Sequence, residues 1–480
     1  MANPPPLPGD ATSVALRMTD FPGRFSPMLV KELRQGMRTN LFTIAFILLQ
    51  TVMILSLLAG LADPGSPAST GFFWFFIVVT LLIVQPLRGF GALSSEFTLN
   101  TMDLIQLTRL DAWRITLGKW TALNAQTLLF LTGVLPYLVM RYFLGNVNFV
   151  VDLAALVYLG LGSALASAIT IGCSAFKHFV LRGLLVLGFG IAFIALYISM
   201  LEMIFRAGVG GFSPATMGLA ALAMLYGCVF FLSFGASRIA PLSENHSTRK
   251  RLFALGFVLL SLGFFWLGAE EAAYVVIALI LGFASVDALT EPLPVFARVL
   301  EPFRKNPLLR LAAWFFTPGW LSGIVFFLLC VWIWITLAAL APTSGSSSLP
   351  SSEPDTMLTS LLSTANLFLF PLIFIHLFFP KHASGSFTFG IYFFIQACLA
   401  VLTLMIAVLS DAMSRYDDLI FALVPIPSVL LVAVENGGAD REFELIYFGA
   451  AVLTLVLGIA VPFLRQREAV REFVRNLKAP

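Results

Sequence analysis

The chain has 480 residues, of which 59% are apolar and only 11% charged, with 47 phenylalanines against four histidines. A soluble globular protein is roughly 45–50% apolar and about 25% charged, so this composition excludes an ordinary water-soluble enzyme and specifies a polytopic membrane protein. The formal charge of +3 is too small to point to nucleic acid.

Residues 1–25 are Pro-rich and polar without an apolar core. They predict a disordered cytoplasmic tail and not a cleaved signal. Residues 26–39 predict an amphipathic helix at the membrane surface. Ser26 can cap it and Pro27 suits its first turn. Met28, Leu29, Leu33 and Met37 form an apolar side, while Lys31, Arg34 and Arg38 can reach lipid phosphates. Runs long enough for a crossing of ~20 residues follow at 41–61 and 71–87.

The stretch 94–119 is the longest polar interruption of the first half. Read as helix, Leu99, Met102, Leu104, Ile105, Leu107 and Leu110 share one apolar face, and Asp103, Gln106 and Arg109 point elsewhere. A second short helix, 111–119, begins with Asp111 as its N-cap. Such a pair lies along the membrane surface or presses against a soluble partner.

Further apolar runs occupy 120–140, 152–173, 183–205 and 217–236. After the basic loop at 237–251 they continue at 252–268, 272–289, 319–341, 358–379, 387–410, 418–434 and 445–464. Charge decides how many cross. With the N-terminus inside and 418–434 re-entrant, every Lys and Arg except Arg141, Arg206, Arg415 and Arg441 falls on the inner side. If 418–434 crosses instead, the basic tail moves outside, against the positive-inside rule. Pro425 and Pro427 also break that segment, which a re-entrant hairpin tolerates. The expectation is an all-α transmembrane bundle of about 12 spans, six plus six, with both termini cytoplasmic. Its parts are a first membrane domain at 26–237, a basic cytoplasmic linker at 238–251, a second membrane domain at 252–465 and a basic cytoplasmic tail at 466–480.

Chemistry-bearing patterns are sparse. Gly118-Lys119 is the single Gly-Lys pair, but Trp113 and Trp120 stand where a phosphate-binding loop needs Gly and Ser or Thr. No catalytic residue is expected, and the chain binds no cofactor of its own. Lys119 is expected at the inner interface, snorkelling to phosphates. Glu202 and Arg206 are placed to pair near an outer end, and Asp287 and His376 lie near inner ends as structural groups. Cys173, Cys228, Cys330 and Cys398 read as small apolar side chains. His178, His246, His376 and His382 form no zinc motif. Gln50, Asn124, Gln126, Asn366 and Gln396 are interhelical hydrogen bonders or line a path, and Gly162, Ala164, Ala166 and Ala168 allow close helix approach.

Glu96, Thr101, Asp103, Leu104, Thr108, Trp113, Gly118 and Lys119, in register, resemble the cytoplasmic loop between the second and third spans of type-2 ABC transporter permeases. Phe97, Thr98 and Leu99 replace that family's charged trio, Asn100 its Gly and Arg109 its Pro. Residues 26–39 resemble the elbow helix that precedes the family's first span, and 304–320 echo that helix. The resemblance covers about residues 26–125 and, more loosely, the six-span pattern to 237. It implies a permease subunit in the plasma (cytoplasmic) membrane, coupled to export. A separate ABC ATPase subunit would carry ATP and Mg, and a second permease, the same or different, would complete the unit. The ATPase would contact Glu96, Thr101, Asp103, Trp113 and Lys119 on the loop 94–119 and Lys31, Glu32 and Arg34 on the elbow helix. Three alternatives remain beside it: a twelve-span secondary carrier, an anchor for an ATPase without transport, and a membrane-embedded lipid-linked transferase using Asp287, Glu291 and Glu301.

Overall fold

The structure, a computed structural model, describes residues 27–62, 67–98, 111–144, 148–207, 214–241, 244–293, 297–340, 354–379, 388–412, 426–427 and 441–478. Every regular element among them is helical. Two compact units result, Met1–Ser213 with Gly227–Ile239 and Pro214–Tyr226 with Ala240–Pro480. One division point, Ile239/Ala240, falls in the 238–251 linker that the sequence offers, and another, Tyr226/Gly227, falls inside a helix.

In the first unit, α1 (Pro27–Met37) precedes α2 (Asn40–Ala62). Leu41, Ile44, Ile47, Leu48, Ile54, Leu55 and Leu58 of α2 are all exposed. An uninterrupted apolar surface of this kind is the lipid-facing side of a spanning helix. Next comes α3 (Pro67–Val79), which widens through one π turn at Thr80–Val84 and resumes at Gln85–Leu87. The Gln85 N–H bonds the Thr80 carbonyl, five residues back. Pro86, with no N–H to give, follows at once, and the widened turn absorbs the missing bond. A short helix, α4 (Ser94–Thr98), leads towards the polar stretch.

The unit continues with α5 (Ala112–Leu144), α6 (Phe149–Cys173) and α7 (Phe179–Ala207). Asn148 caps α6, its Oδ1 accepting from the Val150 and Val151 N–H groups. The next helix, α8 (Pro214–Ile239), is the one the division passes through.

The second unit holds α9 (Ser247–Leu262), α10 (Glu270–Leu289) and α11 (Pro307–Phe316), then α12 (Trp320–Leu340) and α13 (Pro354–Phe378). It ends with α14 (Thr388–Ala412), α15 (Arg441–Arg465) and α16 (Arg467–Lys478). Gly319, at φ 119°, makes the turn between α11 and α12, a conformation that favours glycine. Pro371 removes an N–H inside α13 and so frees the Leu367 carbonyl, which Gln396 Nε2 takes at 2.7 Å. The neighbouring Phe368 carbonyl accepts from Tyr392 Oη at 2.8 Å. Both bonds tie α13 to α14, the interhelical role expected of Gln396.

Ten of the described helices are long and apolar enough to cross a bilayer. The architecture is that of an all-α, multi-pass membrane protein. Helices also cover the runs at 183–205 and 358–379, although their described apolar parts are shorter. The run at 418–434 lies outside the described residues apart from 426–427. So does the tail at 1–25, and the side chains of Glu202 and Arg206 are likewise outside the description.

Two expectations are corrected. The short helix at 111–119 does not end at Lys119 but runs on as α5, because no breaker separates it from the apolar run. The linker at 238–251 gives way to α9 at Ser247, and Lys250 and Arg251 are buried because carboxylates wait for them. Separately, the tail at 466–480 contains α16, which buries Val470, Phe473 and Leu477 with Leu300, Phe303 and Ala313. Cys173, Cys228 and Cys330 are buried as expected, while Cys398 is exposed on α14.

Candidate functional site

The first unit fastens its N-terminal amphipathic helix to the spans through two cations. Lys119, in the third turn of α5, is 5% exposed. Its Nζ lies 2.8 Å from Glu32 Oε1 on α1 and 3.0 Å from Glu96 Oε1 on α4. Lys31 Nζ stands 3.9 Å from the same Glu96 oxygen, with its side chain mostly in the open. Gly118 explains how α1 comes so near. A Cβ there would sit 3.1 Å from Met28 Cγ and 3.4 Å from Met28 Cβ. The Gly-Lys pair thus combines a close helix approach with a buried charge.

The second cation is Arg88, just past α3. Its Nη2 donates to the Gly36 carbonyl at 2.7 Å and to Thr39 Oγ1 at 3.1 Å. Its Nη1 donates to Gln85 Oε1 at 3.2 Å and to Gln126 Oε1. The Gly36 carbonyl also accepts from Thr39 Oγ1 at 2.7 Å, and the guanidinium added to it complements the dipole at the C-terminal end of α1. Gln85 in turn donates to the Leu123 carbonyl on α5 at 3.1 Å. The segment between Arg88 and α4 is held as well. The Leu93 N–H donates to Ser174 Oγ at 3.1 Å, and Arg182 donates to Ser94 Oγ while lying over the Phe90 ring at 4.3 Å.

The second unit repeats the device with different residues. Lys250 Nζ lies 2.6 Å from Asp287 Oδ2 and 2.7 Å from Glu291 Oε1, and Arg251 Nη2 lies 2.9 Å from Glu291 Oε2. Ser247 Oγ donates to Glu291 Oε1 at 2.7 Å. Burial works to raise the Glu291 carboxyl, and the Lys250 and Arg251 charges outweigh it, drawing the group down to about 2. Arg251 Nη1 also donates to the Phe315 carbonyl at 2.7 Å and to Ser322 Oγ at 3.0 Å. Thr248 Oγ1 reaches the Phe316 carbonyl at 2.7 Å. In both units, then, an arginine caps the C-terminal carbonyls of an amphipathic helix that precedes a span, and a buried lysine holds two carboxylates.

Of the contact residues expected from sequence, Lys119, Glu96, Glu32 and Lys31 come together. Lys119 does not snorkel, because two carboxylates neutralise it inside the protein. Glu96 is 6% exposed and faces Lys119. Lys31 and Arg34 are the exposed members. Trp113 is half-buried in the first turn of α5, where its N–H meets Asp111 Oδ1 at 3.4 Å, the capping bond expected of that acid. Thr101, Asp103, Leu104 and Thr108 lie in 99–110, outside the described residues. Asp287 and Glu291 are occupied by Lys250 and Arg251, an arrangement of structural ion pairs rather than of a free acid pair. Arg88 and Arg251 were not singled out from sequence; their one local signal is a cation directly at the end of an apolar run.

Within either unit taken by itself, no three His, Cys, Asp or Glu side chains converge as metal ligands among the described residues. Comparison of the chain with protein-family models, with curated proteins and with solved structures gave no match.

Proposed function

We propose that this chain is the membrane subunit of an ATP-driven transporter of the ABC type, working as an exporter. In this reading it spans the plasma membrane twelve times with both termini in the cytoplasm, and 418–434 re-enters without crossing. A separate ATPase subunit carrying ATP and Mg docks on the cytoplasmic face, against α1 and the loop 94–119. A second permease, the same or different, completes the unit. One observation carries the proposal: Lys119 ties α1 and α4, the elements nearest that loop, to the end of a 33-residue helix. Displacing α1 or α4 therefore displaces α5. That is the mechanical property a coupling element needs, and a pair resting loosely on the membrane lacks it.

The buried position of Glu96 reassigns the docking roles. Glu96, Glu32 and Lys119 transmit, while Lys31, Arg34, Thr101, Asp103 and Trp113 are the contact residues. The test is co-purification of the tagged full chain from its own host in mild detergent. Wild type is expected to bring down an ATP-binding-cassette subunit, and Arg34→Glu/Asp103→Arg to lose it with unchanged thermal stability. Absence of any ATPase from the intact wild-type preparation refutes the proposal.

A further inference from the structure

Arg141 and Asp152 form a second buried charge centre in the first unit, and the coupling device makes no use of it. Lys119 and Arg141 lie about six turns apart on α5, about 33 Å at 1.5 Å per residue. A hydrocarbon core is about 30 Å thick, so the two clusters belong to opposite boundaries of the bilayer. Arg141 is 9% exposed and Asp152 5%. Arg141 Nη2 donates to Thr70 Oγ1 at 2.7 Å, and the guanidinium lies over the Phe73 ring at 4.6 Å. Those contacts fix the guanidinium and leave Nη1 directed at the carboxylate.

The remaining distance is unusual. Arg141 Nη1 and Asp152 Oδ2 stand 3.8 Å apart, and among the described residues neither atom has a hydrogen-bond partner. Charge-assisted hydrogen bonds between such groups run about 2.7–2.9 Å. Two opposite buried charges held short of contact present a donor and an acceptor side by side. An anion alone meets repulsion from Asp152, and a cation alone meets it from Arg141. A group bearing both charges satisfies both.

We propose that Arg141, Asp152 and Thr70 bind a zwitterionic group at this boundary. Its phosphate or carboxylate meets Arg141, and its primary ammonium donates to Asp152. Two sources share that chemistry, an aminophospholipid headgroup and a free amino acid. The site stands independently of ATPase docking.

The test is native mass spectrometry of the full chain in detergent with equal amounts of phosphatidylethanolamine, phosphatidylcholine and phosphatidylglycerol. Phosphatidylcholine keeps both charges but has no N–H to give Asp152, and phosphatidylglycerol has no cation. Wild type is expected to retain phosphatidylethanolamine about 10-fold over either, equivalent to one decade in Kd, or to bind free alanine in a thermal-shift titration. Displacement of the lipid by alanine, or binding of alanine alone, assigns the site to small solutes; lipid retained against alanine assigns it to the headgroup. Arg141→Met and Asp152→Asn should each abolish the preference. Because either could misfold, Arg141→Met/Asp152→Leu is the control: an apolar pair replacing a buried ion pair keeps the fold and should also abolish it. No preference in wild type for the lipid together with no alanine binding overturns the proposal, as does a preference that survives in the double variant.

Discussion

Replacing Lys119 by Met is the most informative perturbation of the coupling device. The methionine keeps the length and the apolar stem of the lysine and removes its charge. Glu96, whose side chain is 8% exposed, and Glu32, at 20%, then share a pocket without their principal cation. Lys31, 3.9 Å from Glu96 and largely solvated, compensates only in part. Removing one partner of a buried pair costs about 3–5 kcal/mol. At about 1.4 kcal/mol per decade, opening of the clasp should rise by roughly two to three and a half powers of ten. Because the cost arises from stranded carboxylates, Lys119→Met/Glu96→Gln/Glu32→Gln should recover most of it. Hydrogen exchange of the α1 amides in detergent reads this directly, with the amides of α10 as an internal reference. Protection of α1 unchanged in Lys119→Met would refute the reasoning, and so would a triple variant as unprotected as the single one.

The second unit should lose stability in acid. The Lys250 and Arg251 charges hold the Glu291 carboxyl below its ordinary range in the folded protein. A depressed carboxylate contributes stability that is present above its unfolded-state value and lost as pH falls through the folded-state one. Thermal melts from pH 6 to pH 3 should show that loss in wild type and a flatter profile in Glu291→Gln. Arg88→Lys should not substitute for arginine, because one ammonium cannot reach the Gly36 carbonyl, Thr39, Gln85 and Gln126 from a single position. A loss of about 1–3 kcal/mol is expected, read as faster proteolysis after α1. Gly172→Ala should destabilise the first unit by about 1–3 kcal/mol, since its Cβ would fall 2.5 Å from the Phe231 carbonyl oxygen, which is backbone and cannot swing away. Gly183→Ala meets nothing within 4 Å and should be neutral or slightly stabilising; equal melting shifts for the two would contradict the packing described.

The spanning helices were legible because burial in lipid needs nothing but length and continuous apolarity, as in Asn40–Ala62. The cap at Asp111 and the start of α1 at Pro27 were legible because they depend on residues within one turn of each other. The roles of charged residues were not. Lys119 looked like a snorkelling lysine and Glu96 like a docking residue, since hydropathy records that a charge sits near a boundary without recording what faces it. The same gap hid the first turn of α9. Lys250 and Arg251 made the start of α9 look like a solvated linker, although their partners Asp287 and Glu291 lay a whole hairpin later.

By itself, then, the sequence determined the solvent of this protein, the class of its fold and the local signals that begin its helices. All of these follow from composition and from interactions a few residues apart. Only the tertiary structure decided which charges are partners. Lys119 meets Glu32 and Glu96 across three helices, Arg88 meets Gly36 from another, and Arg141 faces Asp152 without touching it. A charge in a membrane protein is stable wherever an opposite charge or a hydrogen bond answers it, and that answer is set by helix packing, to which spacing along the chain is blind.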